Sequence, residues 1–203
     1  MNSGKISAGI DEAGRGAVMG PLVACCYATS NKSRSEFRDL GVVDSKRLTG
    51  RQRESLFPEL LRRAVSIHWT FLSPPAIDGE NLNALYTRHV IHLIRLSPAV
   101  RVVVDAPVPS SGLNRYRQEL QAFCGDVEVE AYNGAEDRDP AVAAASICAK
   151  VVRDRVLARL AQRFGSVGSG YPSDPATVSW LKDHYDQGVE AGIVRSKWKL
   201  AWR

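Results

Sequence analysis

Cysteine is scarce in this chain of 203 residues: there are four, and no pair has the C-x2-C spacing of a zinc site. Cys25 and Cys26 are adjacent, and Cys124 and Cys148 stand alone. All four lie among apolar or small residues, so they read as buried thiols in a reducing compartment. Histidine is equally sparse. His68, His89, His92 and His184 show no metal spacing, which argues against a histidine-built metal centre. No run reaches the roughly 18 apolar residues of a membrane-spanning helix. The start, MNSGKISAGI, lacks the apolar stretch and cleavage pattern of a signal peptide, so no membrane partner and a cytoplasmic location are expected. There is no G-x-S-x-G, no Walker loop and no complete G-x-G-x-x-G. Repeats, low-complexity tracts and linkers are also missing, and a single domain over residues 1–203 is expected.

Hydrophobic residues make up 44% and charged residues 24%, enough for a core without disulfides or a structural metal. The formal net charge is +5, and the pI is near 9.2. That balance suits either a few surplus surface lysines or a polyanionic partner.

Residues 5–11 and 21–30 read as two strands joined by a glycine-rich turn. A helix is expected from about Thr49, with Leu56, Leu60 and Leu61 on its apolar face and a kink or break at Pro58. VSIHWTFLS alternates as a third strand. Residues 80–97 form an amphipathic helix in which Leu82, Leu85, Tyr86, His89, Val90, Leu93 and Ile94 follow helical spacing. RVVVD, residues 101–105, is a short, near-continuous β-branched run, as in a strand buried on both faces. VEVEAY alternates as a half-exposed strand. A long helix over residues 140–164 opens on Pro140, with an inner stripe of Val142, Ala145, Ala149, Val152, Val156 and Leu160. A last helix covers residues 175–187. Strand–helix alternation after a hairpin-like start implies an α/β domain with a mixed sheet.

The chemistry lies in the acids. Asp11 ends one apolar strand and Asp105 ends another. A carboxylate there is costly to desolvate unless it is paired or bound to a metal. Each acid alone could cap a turn or meet an arginine. Two side by side, with Glu12 adjacent, equally suit divalent cations with oxygen ligands. Neighbouring strand residues point to opposite faces, so Asp11 and Glu12 share one site only if the chain bends at Ala13-Gly14. Glu136, Asp137 and Asp139 crowd the start of the long helix, where the helix dipole alone favours acids. Gly14-Arg15-Gly16 offers backbone N–H groups and a guanidinium to an anion, but such tripeptides also make ordinary turns. Lys46 reads either as a phosphate contact or as a surface lysine. Tyr171, in the rigid GSGYPSDP loop, is either a packed turn residue or a platform for a sugar or base.

In order, GIDEAGRG, DSKRL, VVVDAP, AVAAASICAKVVRDR and GSGYPSDP closely resemble the motifs of ribonuclease HII, the type 2 ribonuclease H. The GSGYPSDP loop and VRSKWK are more similar to the archaeal and eukaryotic branch. The resemblance implies a ribonuclease H-like fold: a mixed β-sheet flanked by helices, with a helical C-terminal part from about residue 165. It implies four acids, Asp11, Glu12, Asp105 and Glu136, holding two divalent ions, Mg2+ or Mn2+. The fourth acid departs from the family, which usually has aspartate; Glu136 takes that position without a gap, and Asp137 is the alternative. The resemblance further implies that Gly14, Arg15 and Gly16 contact the backbone around a ribonucleotide and sense its 2′-OH, helped by Tyr171, and that Lys46 contacts phosphate. Substrates would be RNA/DNA hybrids and duplex DNA with a single embedded ribonucleotide, cut to 5′-phosphate and 3′-hydroxyl ends during DNA replication and repair. The tail KWKLAWR carries no clear sliding-clamp pattern, and a monomer is expected.

Overall fold

A computed structural model describes residues 5–37, 39–42 and 45–200. The first residue of DSKRL, the first four residues of the chain and the last three of KWKLAWR lie outside the described residues.

Five strands form one mixed sheet in the order β3-β2-β1-β4-β5. β1 (Ile6–Ala13) and β2 (Leu22–Ser30) form an antiparallel hairpin, and β3 (Ser66–Leu72) pairs antiparallel with β2. β4 (Arg101–Asp105) and β5 (Glu128–Tyr132) continue the sheet in parallel on the other side of β1. β4 is buried on both faces, as its composition requires. Val102 and Val104 belong to one core, while Val103 packs with Ala135 and Val142 on the other side.

Period-two alternation divides the sheet between two helical layers. Ala8, Ile10, Ala24, Cys26, Val104 and Val129 face α4 (Leu82–Leu96) and α5 (Leu113–Ala122). Cys25 and Tyr27 face α6 (Pro140–Phe164) and α2 (Gly50–Arg63). Two short helices, α1 (Asn31–Glu36) and α3 (Pro74–Gly79), escaped the sequence reading, as did α5, because their apolar residues are too few to set a period. α7 (Pro175–Glu190) packs Trp180 and Leu181 against Val18, Met19 and Val194, and its helical geometry breaks at His184.

Local chemistry accounts for the helix starts. Thr49 and Gln52 form a reciprocal capping box on α2. Asn81, Asp139 and Asp174 cap α4, α6 and α7, the last two with proline at the first helical positions.

Three expectations need correction. Pro58 does not break α2, which runs through it. The buried side of that helix is Phe57 and Leu60, whereas Leu61 is 44% exposed. α6 carries no narrow stripe in its first half: residues 141–149 are buried all round, because the helix lies between the sheet and α2. Small side chains make that position accessible. At Gly9 the approach is closest, since a β-carbon there would fall on the backbone of Ala141 and Val142. No helix among the described residues is long and apolar enough to cross a membrane.

Candidate active site

The parallel pairing of β1 with β4 matches Ile10 to Val104. One residue further along stand Asp11, where the pairing with β4 stops and two residues before β1 ends, and Asp105, the last residue of β4, near the carboxyl ends where open α/β sheets gather ligands. Glu136 joins them from the 3-10 turn Ala135–Asp137, just before α6. One carboxylate oxygen from each of these three acids lies within 4.8 Å of the others. Asp11 and Glu136 are buried. Asp105 Oδ1 accepts a hydrogen bond from the Ala135 N–H (3.0 Å), which ties the turn to the strand end.

Burial pushes the Asp11 carboxyl well above its usual range, and the charges of Glu12 and Asp105 push it further. Burial likewise raises Asp105 to about 6; the Ala135 N–H opposes this, and the Glu136 and Glu12 charges add to it. Glu136 makes an ion pair with Lys46 through Oε1 (2.9 Å), while its buried Oε2 accepts no hydrogen bond from any described residue. Three clustered carboxylates with an unsatisfied buried oxygen fit a hard divalent cation, which takes oxygen ligands.

The raised Asp105 has a consequence for stability. Without metal, the folded chain holds a proton that the unfolded chain, with an ordinary carboxyl near 3.8, has already lost. Its contribution to stability therefore falls as pH rises from about 4 to about 6. The thermal midpoint of metal-free protein measured across that window should fall more steeply in wild type than in Asp105→Asn. Identical slopes would contradict the assignment.

The other acids divide by face. Glu12 lies beside the three-acid group rather than within its 4.8 Å limit. β1 stays regular through Ala13, so Glu12 points with Ile10 toward α4, where Tyr86 Oη donates to its Oε2 (2.6 Å) and Arg15 Nε to its Oε1 (2.7 Å). Glu12 nevertheless borders the same cleft as Asp11 and Asp105, close enough for its charge to raise both carboxyls. Asp137 faces outward and pairs with Arg47 (3.1 Å). Asp139 is the N-cap of α6, its Oδ1 accepting from the Ala141 N–H, and it pairs with Arg34 and Arg101.

An open cleft of about 270 Å³ runs over the cluster, bordered by Gly14, Arg15, Gly16, Lys46 and Tyr171 as well as by Asp11, Glu12 and Asp105. Gly14 adopts φ +90°, and a β-carbon there would strike the Arg153 side chain. Gly16 is exposed with open space around it. The Lys46 side chain is mostly exposed apart from its bond to Glu136. Arg153 lies over the Tyr171 ring, 4.9 Å from its centroid.

Two residues that the sequence reading passed over hold this rim together. Arg153 and Arg195 are both fully buried. Arg153 donates to the carbonyls of Met19 and Ser169 (both 3.1 Å) and of Pro21 (3.3 Å). Arg195 donates to the carbonyls of Gly14 (2.6 Å) and Arg15 (2.8 Å). Each guanidinium offers several donors in a fixed plane, so one side chain can satisfy carbonyls from separate loops. The only sequence signal was arginine among apolar residues in KVVRDR and IVRS.

A mixed five-stranded sheet with acids at the ends of two adjacent parallel strands, completed by an acid from the turn before a buried helix, defines a protein of the ribonuclease H-like class. Within that class the chain belongs to the ribonuclease HII family, whose model matches residues 8–201. It is 40% identical to ribonuclease HII of Caldivirga maquilingensis over 203 aligned residues, covering 98% of this chain and 94% of that protein. The crystal structure of ribonuclease H2 from Pyrococcus horikoshii OT3 superposes with a TM-score of 0.86 at 37% identity, covering 96% of this chain and 94% of that one. The RNase HII structure from Archaeoglobus fulgidus, solved as a complex with PCNA, gives a TM-score of 0.88 at 37% identity, covering 98% and 97%. The chain is thus a ribonuclease H by family.

Proposed function

We propose that this protein hydrolyses the RNA strand of RNA/DNA hybrids and cuts duplex DNA at single embedded ribonucleotides, leaving 5′-phosphate and 3′-hydroxyl ends. The observation that carries this reading is the convergence of Asp11, Asp105 and Glu136 with one buried Glu136 oxygen unspent. Two divalent ions, Mg2+ or Mn2+, would supply an activated water and charge stabilisation at the leaving oxygen.

The chain's own residues do the rest. Asp11, Glu12, Asp105 and Glu136 hold the cations, Glu12 from the side of the cleft next to Arg15. Glu136, rather than Asp137, fills the fourth acidic position, because Asp137 is turned to solvent. Lys46 stands over the cluster and neutralises part of its charge, and it contacts a phosphate of the substrate. The backbone of Gly14-Arg15-Gly16 and the Tyr171 ring border the same cleft and read the ribose there. No histidine is needed as general base, in keeping with the absence of a histidine constellation. The chain acts as one catalytic unit, as a monomer in the cytoplasm, in removing ribonucleotides during replication and repair. Its partner is the nucleic-acid duplex; PCNA accompanies the Archaeoglobus fulgidus relative, but the tail here carries no clear clamp-binding pattern.

The test is cleavage of a duplex containing one ribonucleotide, with Mg2+ or Mn2+, and mapping of the product ends. Cleavage that yields 3′-phosphate ends, or none with either metal, overturns the reading. Tyr171→Ala should reduce the preference for a single ribonucleotide over a long hybrid several-fold while leaving metal affinity unchanged. An unaltered preference would remove Tyr171 from the ribose contact.

A further inference from the structure

Both oxygens of the Glu12 carboxylate are already engaged, one by Tyr86 and one by Arg15. Tyr86 is fully buried in α4, on the opposite side of the sheet from α6, and its hydroxyl donates to Glu12 near the end of β1, just before the Gly14-Arg15-Gly16 loop. The Arg15 guanidinium lies 4.5 Å from the centroid of the same tyrosine ring. Its Nη1 donates to Oδ1 of Asn83 (3.1 Å), three residues earlier on the helix. Arg15 is therefore tied to α4 in three ways: through Glu12, through the ring face and through Asn83. An arginine on a glycine-flanked loop would otherwise sample many rotamers, and ordering it on substrate binding would cost affinity.

We propose that Tyr86 is a positioning residue for substrate binding. It fixes Arg15, directly by its ring and indirectly through Glu12, and takes no part in holding metal. This rests on the reading of the Gly14-Arg15-Gly16 loop as the element that meets the ribonucleotide. Glu12 borders the same cleft as Asp11 and Asp105, but its bonds to Tyr86 and Arg15 are made on the α4 side of the sheet. Tyr86→Phe keeps the ring and the core volume and removes only the hydroxyl that Glu12 accepts from.

The test compares wild type, Tyr86→Phe, Arg15→Ala and the double variant on duplex DNA with one ribonucleotide at saturating Mn2+. Melting curves check the fold, and calorimetry reads Mn2+ affinity. The expected result is a kcat/KM roughly ten-fold lower in Tyr86→Phe, as suits loss of a hydrogen bond to a charged group, carried by KM with kcat little changed. The same change in the Arg15→Ala background should have no further effect, and Mn2+ affinity should match wild type. A full additional loss on Arg15→Ala, weakened Mn2+ binding, or an unchanged KM would each overturn the proposal. If Tyr86→Phe melts early, Asn83→Ala at the exposed end of the same network takes its place. It should raise KM and be silent in Arg15→Ala, and an additive loss there overturns the proposal equally. A wild-type protein that cuts no ribonucleotide-containing duplex overturns the proposed activity itself, an outcome distinct from a wild type that cuts normally but shows additive variants.

Discussion

Asp11→Asn is expected to abolish cleavage and, in the absence of metal, to raise the thermal midpoint. Both effects have one cause. Asp11 is 6% exposed, and its carboxyl is pushed upward by burial and by the charges of Glu12 and Asp105. Asparagine keeps the shape and the oxygen that accepts from the Glu12 N–H (2.6 Å), but carries no charge. A metal-free fold therefore loses a repulsion. The cation loses a ligand whose contribution to the transition state is several kcal/mol, so the rate should fall by a factor on the order of 10³ or more. Hybrid binding, which depends on the basic rim, should survive. The measurements are single-turnover cleavage with Mg2+ and Mn2+, and melting in chelator with and without added metal. Wild type should gain stability on adding metal and Asp11→Asn should gain little. Cleavage near the wild-type rate would remove Asp11 from the site.

The second large effect is structural. Gly9→Ala would place a β-carbon on the α6 backbone at Ala141 and Val142. Backbone cannot swing aside as a flexible side chain can, so the helix must retreat from β1. Overpacking typically costs about 1–3 kcal/mol, and a clash with unyielding backbone belongs at the upper end of that range. The same retreat would shift the turn that carries Glu136, so cleavage should fall with stability. Denaturant titration and activity should be measured together. A stability loss under about 0.5 kcal/mol would mean that α6 does not rest on Gly9 as closely as the structure has it. The prediction bears on function because two strands and one helix start meet at the cluster. Glycine at that crossing brings the helix within reach of the strand-end acids.

Much of the site was legible in the residues. Apolar runs leading to an aspartate describe buried strands with a carboxylate near the carboxyl end, and Asp11 and Asp105 lie together there. Asp139-Pro140 announced the start of α6 because capping and a proline at the first position are local chemistry. Tyr86 was legible only as a core residue of α4; its spacing says nothing of a hydroxyl bonded to a carboxylate 74 positions earlier in the chain. Arg153 and Arg195 gave still less, since an arginine among apolar residues looks the same whether it snorkels to solvent or is buried on carbonyls.

The sequence by itself determined the strands, the helices with strong caps or long apolar faces, the two strand-end aspartates and the family, because each depends on neighbours within a turn or two, or on ordered motifs. Only the tertiary structure decided that Glu136 turns inward and Asp137 outward, that Glu12 bonds to Arg15 and Tyr86, and that two buried arginines lock the rim of the cleft. The physical reason is the same in each case. Where a charged side chain settles is decided by which partners can repay its desolvation, and here most of those partners are brought in from distant parts of the chain by the packing of the sheet against its helices.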